Sequence, residues 1–112
     1  NAARIGETLL GPGLRALAEK HPIIGDVRGI GAFWSLDLVH DRATKRPVAP
    51  ASGPAPIIGE LVAECRKNGL MPFVAANRIH ICPPLNITDE QIAEALTKLE
   101  AVFSVMDKHY EG

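Results

Sequence analysis

The chain has 112 residues, 46% of them apolar and 22% charged, with a formal net charge of −1. This length supplies one hydrophobic core rather than two, with the composition of an ordinary globular domain. The near-zero charge gives no electrostatic footprint for nucleic acid or an anionic membrane, no apolar run reaches transmembrane length, and no signal-peptide pattern opens the chain.

Asn1 to Lys20 is predicted to be helical, with Ile5, Leu9, Leu10, Leu14 and Leu17 on its apolar side. Its opening, Asn1-Ala2-Ala3-Arg4-Ile5, has no initiator methionine and reads as the inside of a helix, so a piece of a longer polypeptide is expected. Gly11-Pro12-Gly13 interrupts the run. A proline inside a helix costs ~3 kcal/mol and one backbone bond, which predicts a kink or two short helices. His21-Pro22 ends the element.

Gly25 to Val39 reads as two extended pieces around Gly29-Ile30-Gly31. The second alternates, with Ala32, Trp34, Leu36 and Leu38 on one face and Phe33, Ser35, Asp37 and Val39 on the other, a strand pattern. The glycines predict a bulge or the close approach of another backbone. His40 to Pro56, with four prolines and the group Asp41-Arg42-Ala43-Thr44-Lys45-Arg46, reads as a loop with a solvated basic surface, long enough to contact a partner or substrate.

Pro56 to Asn68 is predicted as a second helix, with proline in its first turn, Ile58, Leu61, Val62 and Cys65 on its apolar face, and Asn68-Gly69 as the stop. Leu70 to Val74 reads as a strand and Ala75-Ala76-Asn77 as a tight turn. A further strand begins at Arg78, with Arg78, His80 and Cys82 to one side and Ile79 and Ile81 to the other. Pro83 and Pro84 end it, since neither can donate to a ladder. Thr88 and Gln91 have the spacing of a capping box, and Ile87 and Ile92 that of a hydrophobic staple. The helix they open carries Ile92, Leu96, Leu99, Phe103 and Met106 on one stripe. Each such side chain contributes roughly 1.5–3 kcal/mol on burial, so this stripe needs a large surface to pack on. Asp107 to Gly112 is polar and predicted to fray. The order of elements predicts an α/β (α+β) two-layer sandwich over residues 1–112: a small, mainly antiparallel sheet covered by about three helices.

No complete catalytic constellation is visible. His21, His40, His80 and His109 are scattered without metal-ligand spacing, so no metal is expected. Ser35, Ser52 and Ser104 have no nucleophile-elbow context. Gly29-Ile30-Gly31 is not a dinucleotide loop, and Glu7 and Glu19 lie on a polar helix face. Lys20, Lys45, Lys67, Lys98 and Lys108 lie near helix ends, on polar faces or in the loop, unlike a desolvated Schiff-base lysine. Cys65 and Cys82 lack CxxC spacing and read as a reduced, cytoplasmic thiol pair. Arg78 and His80 are the one suggestive pair: together they could hold an anionic group, although their spacing alone is that of a solvated strand side.

The run His21-Pro22-Ile23-Ile24-Gly25-Asp26-Val27-Arg28-Gly29-Ile30-Gly31 resembles the start of the C-terminal part of class III (omega-amino acid type) pyridoxal-phosphate-dependent aminotransferases. The run from Arg78 through Pro83-Pro84-Leu85 to Ile92 resembles the last strand, proline corner and final helix of the same family. This resemblance covers nearly the whole chain. It implies a dimeric fold type I enzyme that moves an amino group between an amine or omega-amino acid and a keto acid. It also implies that this chain is only the small C-terminal domain, with the lysine and most contacts to pyridoxal 5′-phosphate in a large domain of the same polypeptide. No catalytic or cofactor-binding residue is therefore assigned here, and the chain by itself is expected not to transaminate.

Ornithine- and aminobutyrate-type members carry an arginine three residues before the Pro-Pro pair, holding a carboxylate of glutamate or 2-oxoglutarate. His80 stands at that position, and a neutral imidazole cannot make the bidentate clamp of a guanidinium. Pyruvate is thus favoured over 2-oxoglutarate, with His80 and Arg78 as the substrate-binding candidates. Phe73 lies near where pyruvate-using relatives place a mobile carboxylate-binding arginine. Two other readings remain: a stand-alone ferredoxin-like module that binds a metabolite on its sheet face, and an interaction domain that docks a partner through the loop from His40 to Pro56.

Overall fold

The computed structural model describes residues 2–49, 55–70, 73–83 and 86–111. The first helical stretch is α1 (Ala2–Ile5), a π turn (Gly6–Leu10) and α2 (Gly11–Lys20). The wide turn falls immediately before Pro12, and the Gly11 N–H reaches back five residues to the Gly6 carbonyl. Pro12 thereby sits in the first turn of α2, where its missing N–H leaves no bond unmade. The expected interruption is thus present, but as a widened turn that keeps the chain helical.

β1 (Ile24–Ile30) and β2 (Phe33–Asp41) form a hairpin in which Ile30 opposes Phe33 across Gly31-Ala32. Gly31 has φ of +57°, at the position that a primed hairpin turn reserves for glycine. The predicted close approach is found here: a side-chain carbon on Gly6 would collide with the Gly31 carbonyl, and one on Gly29 with the Trp34 ring.

The predicted loop starts later than expected, because β2 runs on to Asp41 and β3 (Arg46–Pro47) pairs back onto it. Residues 50–54 of that loop lie outside the described residues. Nor is its basic group simply solvated. Arg42 is half-buried, and its Nε and Nη2 donate to the carbonyls of Pro22, Ala18, His21 and Ile24. A guanidinium can serve several carbonyls at once, and this one ties the exit of α2 to the start of β1.

α3 (Pro56–Lys67) ends as predicted, with Gly69 at φ +79°. β4 covers Phe73–Ala75, one residue past the predicted end; Leu70 is not part of it, and Met71 and Pro72 lie outside the described residues. Ala76, at φ +52°, turns the chain into β5 (Arg78–Ile81). Of the proline corner, Pro83 is described and Pro84 is not. α4 (Asp89–Met106) opens on the predicted capping box, with both reciprocal bonds between Thr88 and Gln91 formed. Ile87 packs against the core that contains Ile92.

The polar tail is fastened rather than frayed. A short 3₁₀ turn (Asp107–His109) follows α4. Asp107 bonds His21, His109 bonds Glu60, and the Glu111 N–H donates to the His40 carbonyl.

The strands are antiparallel in the order β1-β2-β5-β4, with β3 against the end of β2. Trp34, Leu36 and Leu38 of β2 and Ile79 of β5 are buried in one cluster with Leu14, Leu61, Leu99 and Phe103 of the helices. The two-layer α/β sandwich is therefore the fold, with the helices on one face of the sheet. The other face carries the exposed Phe33 and Phe73, with Ser35 and Val39 buried between and beyond them.

Candidate functional site

Strand register decides which side chains share the face opposite the helices, since directly opposed residues of an antiparallel pair point the same way. Asp37 of β2 opposes Asp26 on one side and Arg78 on the other; Ser35 likewise opposes Arg28 and His80, and His80 in turn opposes Phe73. Phe33 opposes Ile30 at the next step. Arg78 and His80 thus lie on one face, as expected from the strand's alternation. What the alternation of β5 could not show is what faces them.

His80 occupies the middle of this face. Its ring lies 5.7 Å from that of Phe33 and 5.4 Å from that of Phe73, both tilted. These separations are those of ordinary edge-to-face aromatic contact. Ile30, Phe33 and Phe73 are 83%, 52% and 69% exposed. These three large apolar side chains share one face of the sheet. Between them lie two buried polar atoms with no hydrogen-bond partner among the described residues, Ser35 Oγ and His80 Nδ1.

The charges on this face are nearly balanced. Arg28 Nη2 donates to both oxygens of Asp37, at 3.0 and 2.8 Å, and its Nε lies 3.4 Å from Asp26. One guanidinium thereby offsets two opposed carboxylates. The Arg78 side chain is exposed and makes no hydrogen bond or ion pair with another described residue. Arg28, Phe33 and Ser35 join the site only through pairing. The alternation of β2 places Phe33, Ser35 and Asp37 together, but nothing local says that β5 lies beside them.

The other histidines are structural. His21 is buried between Asp107 and Glu100, His40 bonds the His109 carbonyl, and His109 bonds Glu60. Cys65 is buried and desolvation pushes its thiol up to about 11, so it is inert at neutral pH; Cys82 is exposed. The longest described helix is not apolar enough to cross a membrane.

The described residues thus form an antiparallel sheet with helices on one face and an apolar, histidine-centred surface on the other. The sequence pattern of the family described as Aminotransferase class-III matches residues 1–103. The chain belongs to that family. It is 36% identical over 117 aligned positions to a taurine–pyruvate aminotransferase of Bilophila wadsworthia, covering 98% of this chain and 24% of that protein. To a taurine–pyruvate aminotransferase of Rhodobacter capsulatus it is 47% identical over 88 positions, covering 79% of this chain and 17% of that protein. Among solved structures, a taurine:2-oxoglutarate aminotransferase from Bifidobacterium kashiwanohense, in complex with PLP and glutamate, superposes with a TM-score of 0.84 at 36% identity. That match covers 88% of this chain and 22% of the other. The chain therefore spans about a quarter of the length of the relatives it matches.

The family's cofactor, pyridoxal phosphate, is held covalently by a lysine, and the lysines here do not fit that task. Lys20 and Lys108 have side chains 68% and 57% exposed and pair with Glu100 and Glu60. Lys98 pairs with Glu94, Lys45 donates to the Gly25 carbonyl, and Lys67 is exposed. None is the desolvated amine that such chemistry requires.

Proposed function

We propose that this chain is the small C-terminal domain of a pyridoxal-phosphate-dependent aminotransferase that acts on an omega-amino acid or amine and a keto acid. The observation that carries this reading is the sheet face opposite the helices, in a chain that spans a quarter of its relatives. Its apolar side chains, and the orphaned polar atoms of Ser35 and His80, suit a surface that closes over an active site built by a large domain of the same polypeptide. They suit a free-standing metabolite-binding module less well, because exposed Ile30, Phe33 and Phe73 would then have nothing to pack on. The working enzyme is taken to be a homodimer.

Pyruvate is the acceptor this reading favours. His80, at the position where the family resemblance implies a carboxylate-binding arginine, and Phe73, near a second such position, are directly opposed, so the centre of the face is aromatic rather than guanidinium-lined. Arg78 is the nearest uncommitted charge on the same face and is assigned to the keto-acid carboxylate together with His80. The names of the relatives include both pyruvate and 2-oxoglutarate as acceptors, so the preference rests on these side chains.

The chain alone is inactive on this account. Mixed with pyridoxal phosphate, it should give no stable Schiff-base absorbance band, whereas the polypeptide that includes the large domain should give one. A stable band on the 112-residue chain alone would overturn the assignment.

A further inference from the structure

Ser35 Oγ and His80 Nδ1 are the two buried side-chain polar atoms left without a partner among the described residues, and they belong to residues directly opposed across β2 and β5. Ser35 is 8% exposed, so water does not readily compensate its hydroxyl. Each orphan carries a desolvation penalty that native proteins normally avoid. Directly opposed residues have their Cβ atoms about 4.5–5.5 Å apart, and rotation about a single serine torsion sweeps the hydroxyl across the space between them.

We propose that Ser35 is a positioning residue for His80: its hydroxyl donates to Nδ1 across the strand pair. The consequence is chemical as well as steric. With Nδ1 as acceptor, the neutral ring carries its proton on Nε2. Nδ1 is the buried nitrogen, so Nε2–H is the donor left for a ligand, held between the rings of Phe33 and Phe73. His80 then offers a carboxylate one directed N–H, where a guanidinium would offer two. This inference rests on the reading that His80 meets the keto-acid carboxylate, and it adds the residue that orients it.

The test is a double-mutant cycle in the full-length enzyme, with Ser35→Ala, His80→Ala, both together, and Ser35→Thr, read by keto-acid KM, kcat and thermal unfolding. Ser35→Ala should raise the keto-acid KM about 2- to 10-fold, the effect of one net hydrogen bond, with kcat unchanged. It should add nothing further in the His80→Ala background, and Ser35→Thr, which keeps the hydroxyl, should restore KM. The unfolding midpoints should show the same non-additivity. If the two single effects add in both KM and unfolding, or if Ser35→Ala matches the wild type in both, the proposal is overturned. If His80→Ala leaves KM unchanged while the midpoints remain coupled, the Ser35–His80 bond stands and the carboxylate role of His80 falls.

Discussion

Titration of His21 should set the alkaline limit of stability for this fold. The residue is 4% exposed; its Nδ1 lies 2.6 Å from Asp107 and its Nε2 2.9 Å from Glu100. Only the imidazolium has a donor for both carboxylates; a neutral ring would aim a lone pair at one of them. Burial alone pulls the pKa of His21 below its ordinary 6.5, but the hydrogen bonds and charges of Asp107 and Glu100 together outweigh it, and the net shift is upward. Lys20, 3.2 Å from Glu100, offsets part of that negative charge, and Arg42 is bonded to the His21 carbonyl. A raised folded-state pKa means that the stabilisation is fully present below 6.5 and is lost as pH rises through the folded value. Glu100 is shifted down from 4.5, first by its hydrogen bond to His21, so its own contribution is present above 4.5 and fades as pH falls below that. The linkage between α2, α4 and the tail is therefore strongest between those two values.

Charge-assisted hydrogen bonds contribute about 1.5–3 kcal/mol each. The Asp107 and Glu100 side chains are 26% and 33% exposed and can rehydrate when the partner is lost. His21→Gln, which keeps neutral N–H donors on one nitrogen only, should accordingly cost about 2 kcal/mol at mildly acid pH. Urea unfolding followed by the fluorescence of Trp34, the single tryptophan and a buried one, reads this directly. The wild type should lose stability from about pH 6.5 upward, and the variant should show a shallower loss, which separates His21 from the other three histidines. A wild-type profile that is flat or rising over that range, or a variant with the same slope, would show that His21 does not titrate as a clamped imidazolium.

Arg42→Lys should lower stability by about 2–3 kcal/mol, because one ammonium cannot span the carbonyls that the guanidinium serves; an unchanged urea midpoint would contradict the clamp. A disulfide-exchange reagent at mildly alkaline pH should modify Cys82 rapidly and Cys65 only on unfolding, since burial pushes the Cys65 thiol up to about 11. Two fast thiols in the native protein would show that α3 does not seal its inner face.

Local signals carried most of the secondary structure. The Thr88–Gln91 capping box, the Asn68-Gly69 stop and the alternation along β2 are each set by interactions within a few residues, and each is present in the fold. What could not be read locally arises between distant residues. Arg42 looks like part of a solvated basic group until α2 and β1 are brought beside it. The tail looks frayed until His21, His40 and Glu60 receive it. The candidate site divides in the same way. Arg78 and His80 share a face by the period of any strand, but Ser35 and Phe33 reach that face only because β5 lies beside β2 rather than next to β1, a pairing that no short-range pattern encodes. The π turn before Pro12 is intermediate: the proline announced an interruption, and the approach of Gly6 to the Gly31 backbone accompanies its final form.

In the proposed enzyme, the sheet face selects the acceptor through His80 and Arg78 in an active site completed by a large domain. The most direct test is kcat/KM of the full-length enzyme with pyruvate and with 2-oxoglutarate, for the wild type, His80→Arg and Arg78→Ala. The wild type should prefer pyruvate, His80→Arg should shift about tenfold toward 2-oxoglutarate as a bidentate clamp is restored, and Arg78→Ala should raise the keto-acid KM. Equal use of both acceptors by the wild type, with neither substitution moving either constant, would contradict this selection.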